Sequence, residues 1–537
     1  MRPFEILLLV LTAVAAVLLL IGRWPGTGRL TVVAALLAAV AHEIFEGAHW
    51  QMIPGYAAIA ILSLIAWRHD SPRRWVQAST TILALILAGL SVSLSLLLPM
   101  FRLPAPTGPY PVGTSILYFK DSTRIEDAVG AAGSPRELMV QLWYPAQSSN
   151  NRFARYRRSL ETNILSSYQS VLPTNSRLDA PMAAVGAPFP VILFNHAWRG
   201  RRTNDTFLIE ELASHGYVVA SIDHTYNASL VELPGGRIVR GTASNDIDDP
   251  ESSTPQHVRA IWDKELHKWV ADQRFVLDRL DAINRASGTP WFGRLNTNTT
   301  GAIGHSFGGA AATSMCAEDP RVRAAVNMDG WFFGAIRERG PNQPLLVINA
   351  SEQNAPPDAN AKVATLLDTE DFADTEASLR RFGGDLLSIK GAAHDDFTDQ
   401  PLVSPLRMLS HRGALPAQRI QEIVRTYVLA FFDQALRGED PAVLRAHAGC
   451  YAEVSLEVWP ADKNGIASPA SADRRLKVEP HSSALLPRLF RGAPCGLPDC
   501  AMFSVRQPAR SPKRQSRVSN PILETSVSMG EINAHNL

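Results

Sequence analysis

The run Gly301-Ala302-Ile303-Gly304-His305-Ser306-Phe307-Gly308-Gly309-Ala310 constrains the architecture of this chain more than any other stretch. Thr299 to Ile303 reads as a buried strand and Ala310 to Cys316 as a helix of small residues, so the serine falls on a sharp strand-to-helix turn. Glycine is needed at 304 and 308 because strand and helix approach closely there. Such a turn leaves the Ser306 hydroxyl standing at the top of a sheet. The helix N-terminus and the Phe307 amide then face any oxyanion that forms on a bound ester carbonyl. Gly-x-Ser-x-Gly by itself is a weak signal, since average composition gives about 0.2 chance matches in a chain of this length.

A serine nucleophile on this turn needs an acid and then a histidine further along the chain. The apolar run Arg323 to Met328 ends at Asp329, which places a carboxylate at a strand's C-terminal edge. Leu386 to Ile389 is followed by Lys390-Gly391-Ala392-Ala393-His394, which places a histidine on a loop just past a later strand. His196, His215, His224 and His305 all precede the acid, and His411 is a reserve. Asp395 and Asp396 adjoin His394, but loop neighbours seldom point at each other. Trp331, Phe332 and Phe333 follow the acid and are expected to line an apolar pocket.

Gly304 to Ala310, Met328-Asp329-Gly330-Trp331, Gly391-Ala392-Ala393-His394 and Leu138-Met139-Val140-Gln141-Leu142-Trp143-Tyr144-Pro145 together resemble the plasma-type platelet-activating factor acetylhydrolases, over roughly residues 110 to 440. The resemblance implies an α/β-hydrolase fold, with Ser306 as nucleophile, Asp329 as orienting acid, His394 as general base and Trp331 in the substrate pocket. The family's Ser-His-Gly-Leu-Gly oxyanion loop aligns with Asn195-His196-Ala197-Trp198-Arg199-Gly200, which makes the Trp198 amide the partner of the Phe307 amide. Here the chain departs from the pattern, with Ala197 for a glycine and Trp198 for a leucine. Phospholipids with short or oxidised acyl chains are the implied substrates, and no metal or cofactor is implied.

Short apolar runs alternating with helical patterns from Pro190 onward independently predict a mostly parallel sheet wrapped by helices. Strands are expected near 115–119, 137–144, 191–194, 217–222, 345–348 and 386–389, and helices near 206–214, 255–286 and 418–436. The Arg152 to Arg158 stretch reads as surface. Thr225 to Asp249 is a long excursion with Pro234-Gly235-Gly236 and the acidic Asp246, Asp248 and Asp249, expected to border the pocket.

The chain is 46% hydrophobic and 19% charged, an apolar balance that places part of it in lipid. Four apolar blocks at about 5–22, 30–47, 53–67 and 77–99 predict about four transmembrane helices in region 1–102, the third being short for a span of about 20 residues. A secretory signal is disfavoured, because the first block lacks a small-x-small cleavage site and three more blocks follow. Arg23, Arg29, Arg68, Arg73 and Arg74 fall in two of the loops, while the loop with Glu43 and Glu46 has no basic residue. This asymmetry puts both termini and the catalytic domain outside the cytoplasm. A Pro-rich linker (103–113) then leads to the hydrolase domain (114–447). Residues 448–537 lose the hydrophobic pattern, as in Gln507-Pro508-Ala509-Arg510, and are expected to be disordered.

A formal net charge of +1, with no basic stripe interleaved with aromatics, excludes a nucleic-acid partner. The partners expected are a lipid or small ester and the membrane. Of four cysteines, Cys316 fits a buried apolar role, while any disulfide among Cys450, Cys495 and Cys500 stays open. His42, Glu43, Glu46 and His49 invite a metal reading, but the spacing is not His-Glu-x-x-His and a polar helix end explains them, so no metal is assigned. Together these features predict a membrane-anchored serine esterase. The competing classes are an inactive hydrolase-like membrane sensor or interaction protein, and a peptidase or acyltransferase on the same triad.

Overall fold

The structure is a computed structural model that describes residues 1–21, 25–68, 74–128, 131–241, 254–340, 343–350, 363–447, 450–459 and 476–478. The N-terminal apolar blocks form four helices, α1 (Pro3–Ile21), α2 (Pro25–Ala41), α3 (Ile53–Ala66) and α4 (Arg74–Leu97). Three segments, Pro3–Ile21, Gly26–Glu46 and Arg74–Leu97, are long and apolar enough to cross a membrane, whereas Trp50–Ala66 is shorter. Of the about four helices expected, three are thus of spanning length and the third in the chain is the short one, as its sequence implies. The third block is bounded too closely by the polar Gln51 and Arg68 to reach it.

All four helices nevertheless pack as one antiparallel bundle. At one end Arg2 bonds the Glu46 and Gly47 carbonyls, and Gln51 Nε2 donates to the Leu98 carbonyl at 3.1 Å. At the other, Gln77 donates to the Leu19 carbonyl and Arg29 to that of Ala66. The seam is lined by small residues, among them Ala15, Ala16, Ala35, Ala58, Ala84 and Ala88, which let the helices approach closely.

The linker is docked rather than a free spacer. Tyr110 N bonds the Ser214 carbonyl at 3.1 Å, and a Cβ at Gly108 would lie 2.2 Å from that same oxygen. It leads into strands β1 (Val112–Ile125), β2 (Pro135–Pro145), β3 (Phe153–Arg155), β4 (Pro173–Leu178), β5 (Phe189–Asn195) and β6 (Val218–Asp223). Next come the hairpin β7 (Leu230–Leu233) and β8 (Arg237–Arg240), then β9 (Leu295–His305), β10 (Val322–Met328), β11 (Leu345–Ala350), β12 (Gly384–Ile389), β13 (Val454–Trp459) and β14 (Leu476–Val478). One twelve-stranded sheet runs β14-β13-β12-β11-β10-β9-β5-β6-β2-β1-β4-β3. The stretch from β12 to β6 is wholly parallel, as the alternating pattern predicts.

Parallel strands are covered on both faces, which is why β5 and β6 read as continuous apolar runs. Ile192, Phe194, Val219 and Ile303 enter one core beneath α5 (Thr206–Ser214) and the C-terminal helix Ala417–Arg437. Val191, Leu193, Val218 and Ala302 enter the other, beneath α6 (Pro255–Arg285) and α7 (Phe307–Glu318). Cys316 is buried in this second core, and burial pushes its thiol up to about 12.

Two expectations change. The sheet continues past 447, because Val454 to Trp459 pairs antiparallel with β12 from Ile389↔Val454 to Gly384↔Trp459. Its alternating burial is a period-two signal too short to stand out in a polar tail. Leu476–Val478 adds β14 beside β13, and the tail beyond it, with Cys495, Cys500 and the Gln507 to Arg514 cluster, lies outside the described residues, as do Asp246, Asp248 and Asp249. The Thr225 excursion folds into the β7–β8 hairpin, whose Val231, Leu233 and Val239 pack on Met139 and Ile116 of the sheet.

Candidate active site

The elbow forms because its backbone leaves no room for anything else. Ser306 has φ 56°, a left-handed value that is strained for a residue with a Cβ. A Cβ at Gly304 would lie 2.2 Å from Gly308 backbone atoms, and one at Gly308 would lie 2.2 Å from the Asn195 carbonyl oxygen. The strain is over-determined by hydrogen bonds. Ser306 N donates to the Met328 carbonyl at 2.8 Å, and Gly309 N donates to the Ser306 carbonyl at 2.8 Å.

Asp329 follows β10 and also has positive φ, 55°. Its turn is held by Asn327, whose Oδ1 accepts from Gly330 N at 2.9 Å and whose Nδ2 donates to the Gly330 carbonyl. One carboxylate oxygen accepts from Ala350 N at 2.8 Å, and the other lies 2.6 Å from His394 Nδ1. The Asp329 side chain is fully buried, whereas that of His394 is 42% exposed. His305, next to the serine, anchors the histidine loop by donating from Nε2 to the His394 carbonyl at 2.8 Å. Burial, followed by the neighbouring His394, keeps the His305 ring well below the ordinary histidine range. It is therefore a neutral brace rather than a base. Ser306, Asp329 and His394 are thus gathered at the C-terminal ends of β9, β10 and β12, within one patch of the sheet edge.

The other histidines and acids have different work. Asp396 accepts from the amides of Ala393 and Gly413 and shapes the His394 loop. His411 is largely exposed, 4.0 Å from Asp395. His215 pairs with Glu211 at 3.3 Å. His224 is buried against Asp272 at 2.9 Å, and His196 Nε2 accepts from the His224 amide.

In the aligned oxyanion loop, Gly200 N donates to the Ala197 carbonyl at 2.7 Å and Arg199 N to that of Asn227 at 3.1 Å. No described backbone carbonyl accepts from the amides of Trp198 or Phe307. The Trp198 ring packs in an aromatic wall with Trp262, Trp269, Phe307, Trp331 and Phe333. Trp262 and Trp331 lie 4.1 Å apart, and Trp198 and Phe307 5.2 Å. Phe332, grouped with the pocket on sequence, turns the opposite way into the core under α6 and is fully buried. Successive residues in the extended segment after Asp329 point to alternate sides, so only Trp331 and Phe333 join the wall. The sequence marks 255–286 only as a helix and does not place Trp262 or Trp269 at the site. Their stripe with Val258 and Leu266 gives no hint that it is the one beside the serine.

Among the described residues a second polar cluster occurs at the domain-side end of the bundle. Ligand atoms of Glu5, His42 and His49, all buried, lie within 4.8 Å of one another. Glu43, of the sequence grouping, is exposed. These are the residues suited to a cation, but Arg2 already donates to Glu5 at 2.5 Å and lies 3.2 Å from His42 Nε2, so the chain supplies a cation of its own.

A mostly parallel sheet carrying a strained serine elbow, with a His–Asp pair at the neighbouring strand ends, defines the α/β-hydrolase class, and the protein is a carboxylic ester hydrolase. More particularly, the chain belongs to the family described as platelet-activating factor acetylhydrolase, isoform II, which it matches over residues 98–233 and 291–441. It is 27% identical over 391 residues to a protein of Arthroderma benhamiae named "Probable 1-alkyl-2-acetylglycerophosphocholine esterase", covering 66% of this chain and 93% of that one. It is 23% identical over 423 residues to the platelet-activating factor acetylhydrolase of Cavia porcellus, covering 70% and 87%. Among solved structures, a ferulic acid esterase from Streptomyces cinnamoneus is similar at TM-score 0.52 and 31% identity, covering 64% of this chain and 95% of that one.

Proposed function

We propose that this ester hydrolase is anchored in a membrane and cleaves short or oxidised acyl groups from phospholipids through an acyl-enzyme on Ser306. The observation that carries the mechanism is the 2.6 Å contact between His394 Nδ1 and Asp329 beside the elbow. A carboxylate accepts, so Nδ1 carries the proton and Nε2 the lone pair that takes the Ser306 proton during attack. The amides of Phe307 and Trp198 then receive the oxyanion, and water releases the acyl group. The aromatic wall supports an apolar acyl or alkyl portion in the substrate. The relatives' printed names support a glycerophosphocholine ester.

Anchoring rests on the three helices of spanning length. The antiparallel bundle returns the chain to the end from which it started, with Arg29, Arg68 and Arg74 at the far end, which supports an extracytoplasmic catalytic domain. Labelling with a fluorophosphonate and hydrolysis of a short-chain p-nitrophenyl ester test the mechanism. Ser306→Ala should abolish both and lower turnover by about 10⁶-fold without loss of fold. A variant that keeps a tenth of the parent rate rules out Ser306 as nucleophile.

A further inference from the structure

The Arg152 to Arg158 stretch, at the surface as expected, walls a cavity of about 580 Å³ at the outer edge of the sheet. Six arginines line it, Arg152, Arg155, Arg157, Arg158, Arg177 and Arg202, against a single carboxylate, Glu161. Arg202 is matched by Glu161 and Asp223, and Arg158 by Glu232. Arg152, Arg155, Arg157 and Arg177 make no ion pair among the described residues, although Glu161 acts on Arg157 at longer range. Arg155 donates to the Val171 carbonyl at 2.7 Å and Arg177 to that of Asn151 at 2.7 Å. Arg157 donates to the neutral oxygens of Gln169, Thr203 and Asn204. Neighbouring Arg201 is pushed down to about 10, by burial first and then by Arg157, with Glu161 and Asp223 acting against it. Guanidinium groups held in place by neutral acceptors, around a half-open space, suit phosphate oxygens.

The surroundings indicate which phosphate. Phe153 and Leu160 on the cavity's wall and rim are about half exposed, and Ile164 and Leu165 just beyond are 79% and 60% exposed. This apolar segment is tied to the bundle, since Trp50 Nε1 donates to the Leu165 carbonyl at 3.0 Å. Trp50 stands between α2 and α3 at the domain-side end, the level of the headgroups if the bundle spans a bilayer. The cavity shares no residue with the triad or the aromatic wall.

We propose that the arginine-lined cavity binds the phosphate of an anionic phospholipid headgroup, with Ile164 and Leu165 inserted beside it, so that the hydrolase domain is held down on the membrane it is anchored in. This rests on the membrane-anchored reading, and it adds a lipid site that does no chemistry.

The test uses full-length Ser306→Ala protein, which cannot turn the lipid over, in neutral-detergent micelles doped with phosphatidylglycerol or phosphatidylcholine. Phosphatidylglycerol should raise Tm by roughly 5 °C as the site saturates, and phosphatidylcholine by much less. The exposed-residue double variant Arg152→Gln/Arg155→Gln should lose at least half of that rise, and adding Arg157→Gln should remove it. An undiminished rise in both variants overturns the site. Soluble glycerol phosphate giving the same rise at equal concentration overturns the lipid as its source. Alkaline-carbonate extraction of membranes checks the anchoring separately: release of the chain sinks the anchor, whereas the micelle result reports on the cavity alone.

Discussion

The C-terminal edge of the sheet carries two histidine–aspartate pairs, one after β12 and one after β6, and they differ in everything except the bond. His394 meets Asp329 at 2.6 Å and His224 meets Asp272 at 2.9 Å, with both carboxylates buried. His394 presents a ring that is 42% exposed, beside a serine on a strained turn. His224 is sealed in: its Nε2 faces Asn195 Oδ1 at 3.1 Å, and its ring stacks on Trp269 at 3.8 Å. Asp272 is shared with Arg136, which also bonds Glu126. Burial pushes His224 down to about 3, and its ring is held as a strut between Asp272 and Asn195. A His–Asp bond thus makes a base only where the second nitrogen opens toward a nucleophile.

That contrast breaks most visibly in kinetics. His394→Ala should reduce kcat on a p-nitrophenyl ester by about 10⁶-fold, and Asp329→Asn by about 10⁴-fold, with circular dichroism unchanged. His224→Gln should stay within about tenfold of the parent per folded molecule. A thousandfold loss there, with the fold intact, would make the inner pair catalytic and end the distinction.

In stability the ranking reverses. Asp272→Asn leaves Arg136 buried beside one fewer carboxylate, and urea unfolding should show a loss of about 3 to 5 kcal/mol. His394→Ala, at a half-exposed site, should change unfolding by under about 1 kcal/mol. Equal losses from the two would mean that both pairs are structural.

Trp198→Leu should keep most activity, since the proposed role uses the backbone amide, whereas loss of a true oxyanion donor costs roughly 10² to 10³. A drop in kcat of that size would move the role to the indole.

The smallest effect is on pH. Burial raises Asp205 well above its ordinary value and Asp399 and Glu210 to about 7. A raised folded pKa contributes stability that is fully present below the unfolded value near 4 and is lost as pH rises through the folded one. His224, with its pKa depressed, acts in the opposite direction: its contribution is present above about 6.5 and lost as pH falls toward 3. Tm should therefore fall from pH 6 to 8, and Glu210→Gln should flatten part of that limb. An unchanged alkaline slope would show that Glu210 is not one of the groups responsible.

Much of this was legible from local pattern. The elbow glycines, the strand before Asp329 and the loop bearing His394 are short-range signals, and the structure puts those three side chains along one edge. What sequence could not give is which apolar face meets which. Trp262 and Trp269 look like any helix stripe until α6 crosses the elbow, and Phe332 differs from Phe333 only by the side of the chain it occupies. β13 escaped because six residues in a polar tail carry too little periodicity. The Arg152 to Arg158 stretch reads as surface, which it is, but the cavity it walls is hidden because β4, on its other side, lies about twenty residues away in sequence.

One contact ties the reading together mechanically. Asp399, five residues after His394, accepts from the amides of Thr206 and Phe207 at the start of α5, and its own amide bonds the Asn204 carbonyl at 2.7 Å. The segment that carries the histidine is therefore clamped to the helix that follows the Trp198 loop, and neither can loosen without the other. Heat inactivation should accordingly have no early, reversible phase: residual activity and the global melting signal should decay on a single curve.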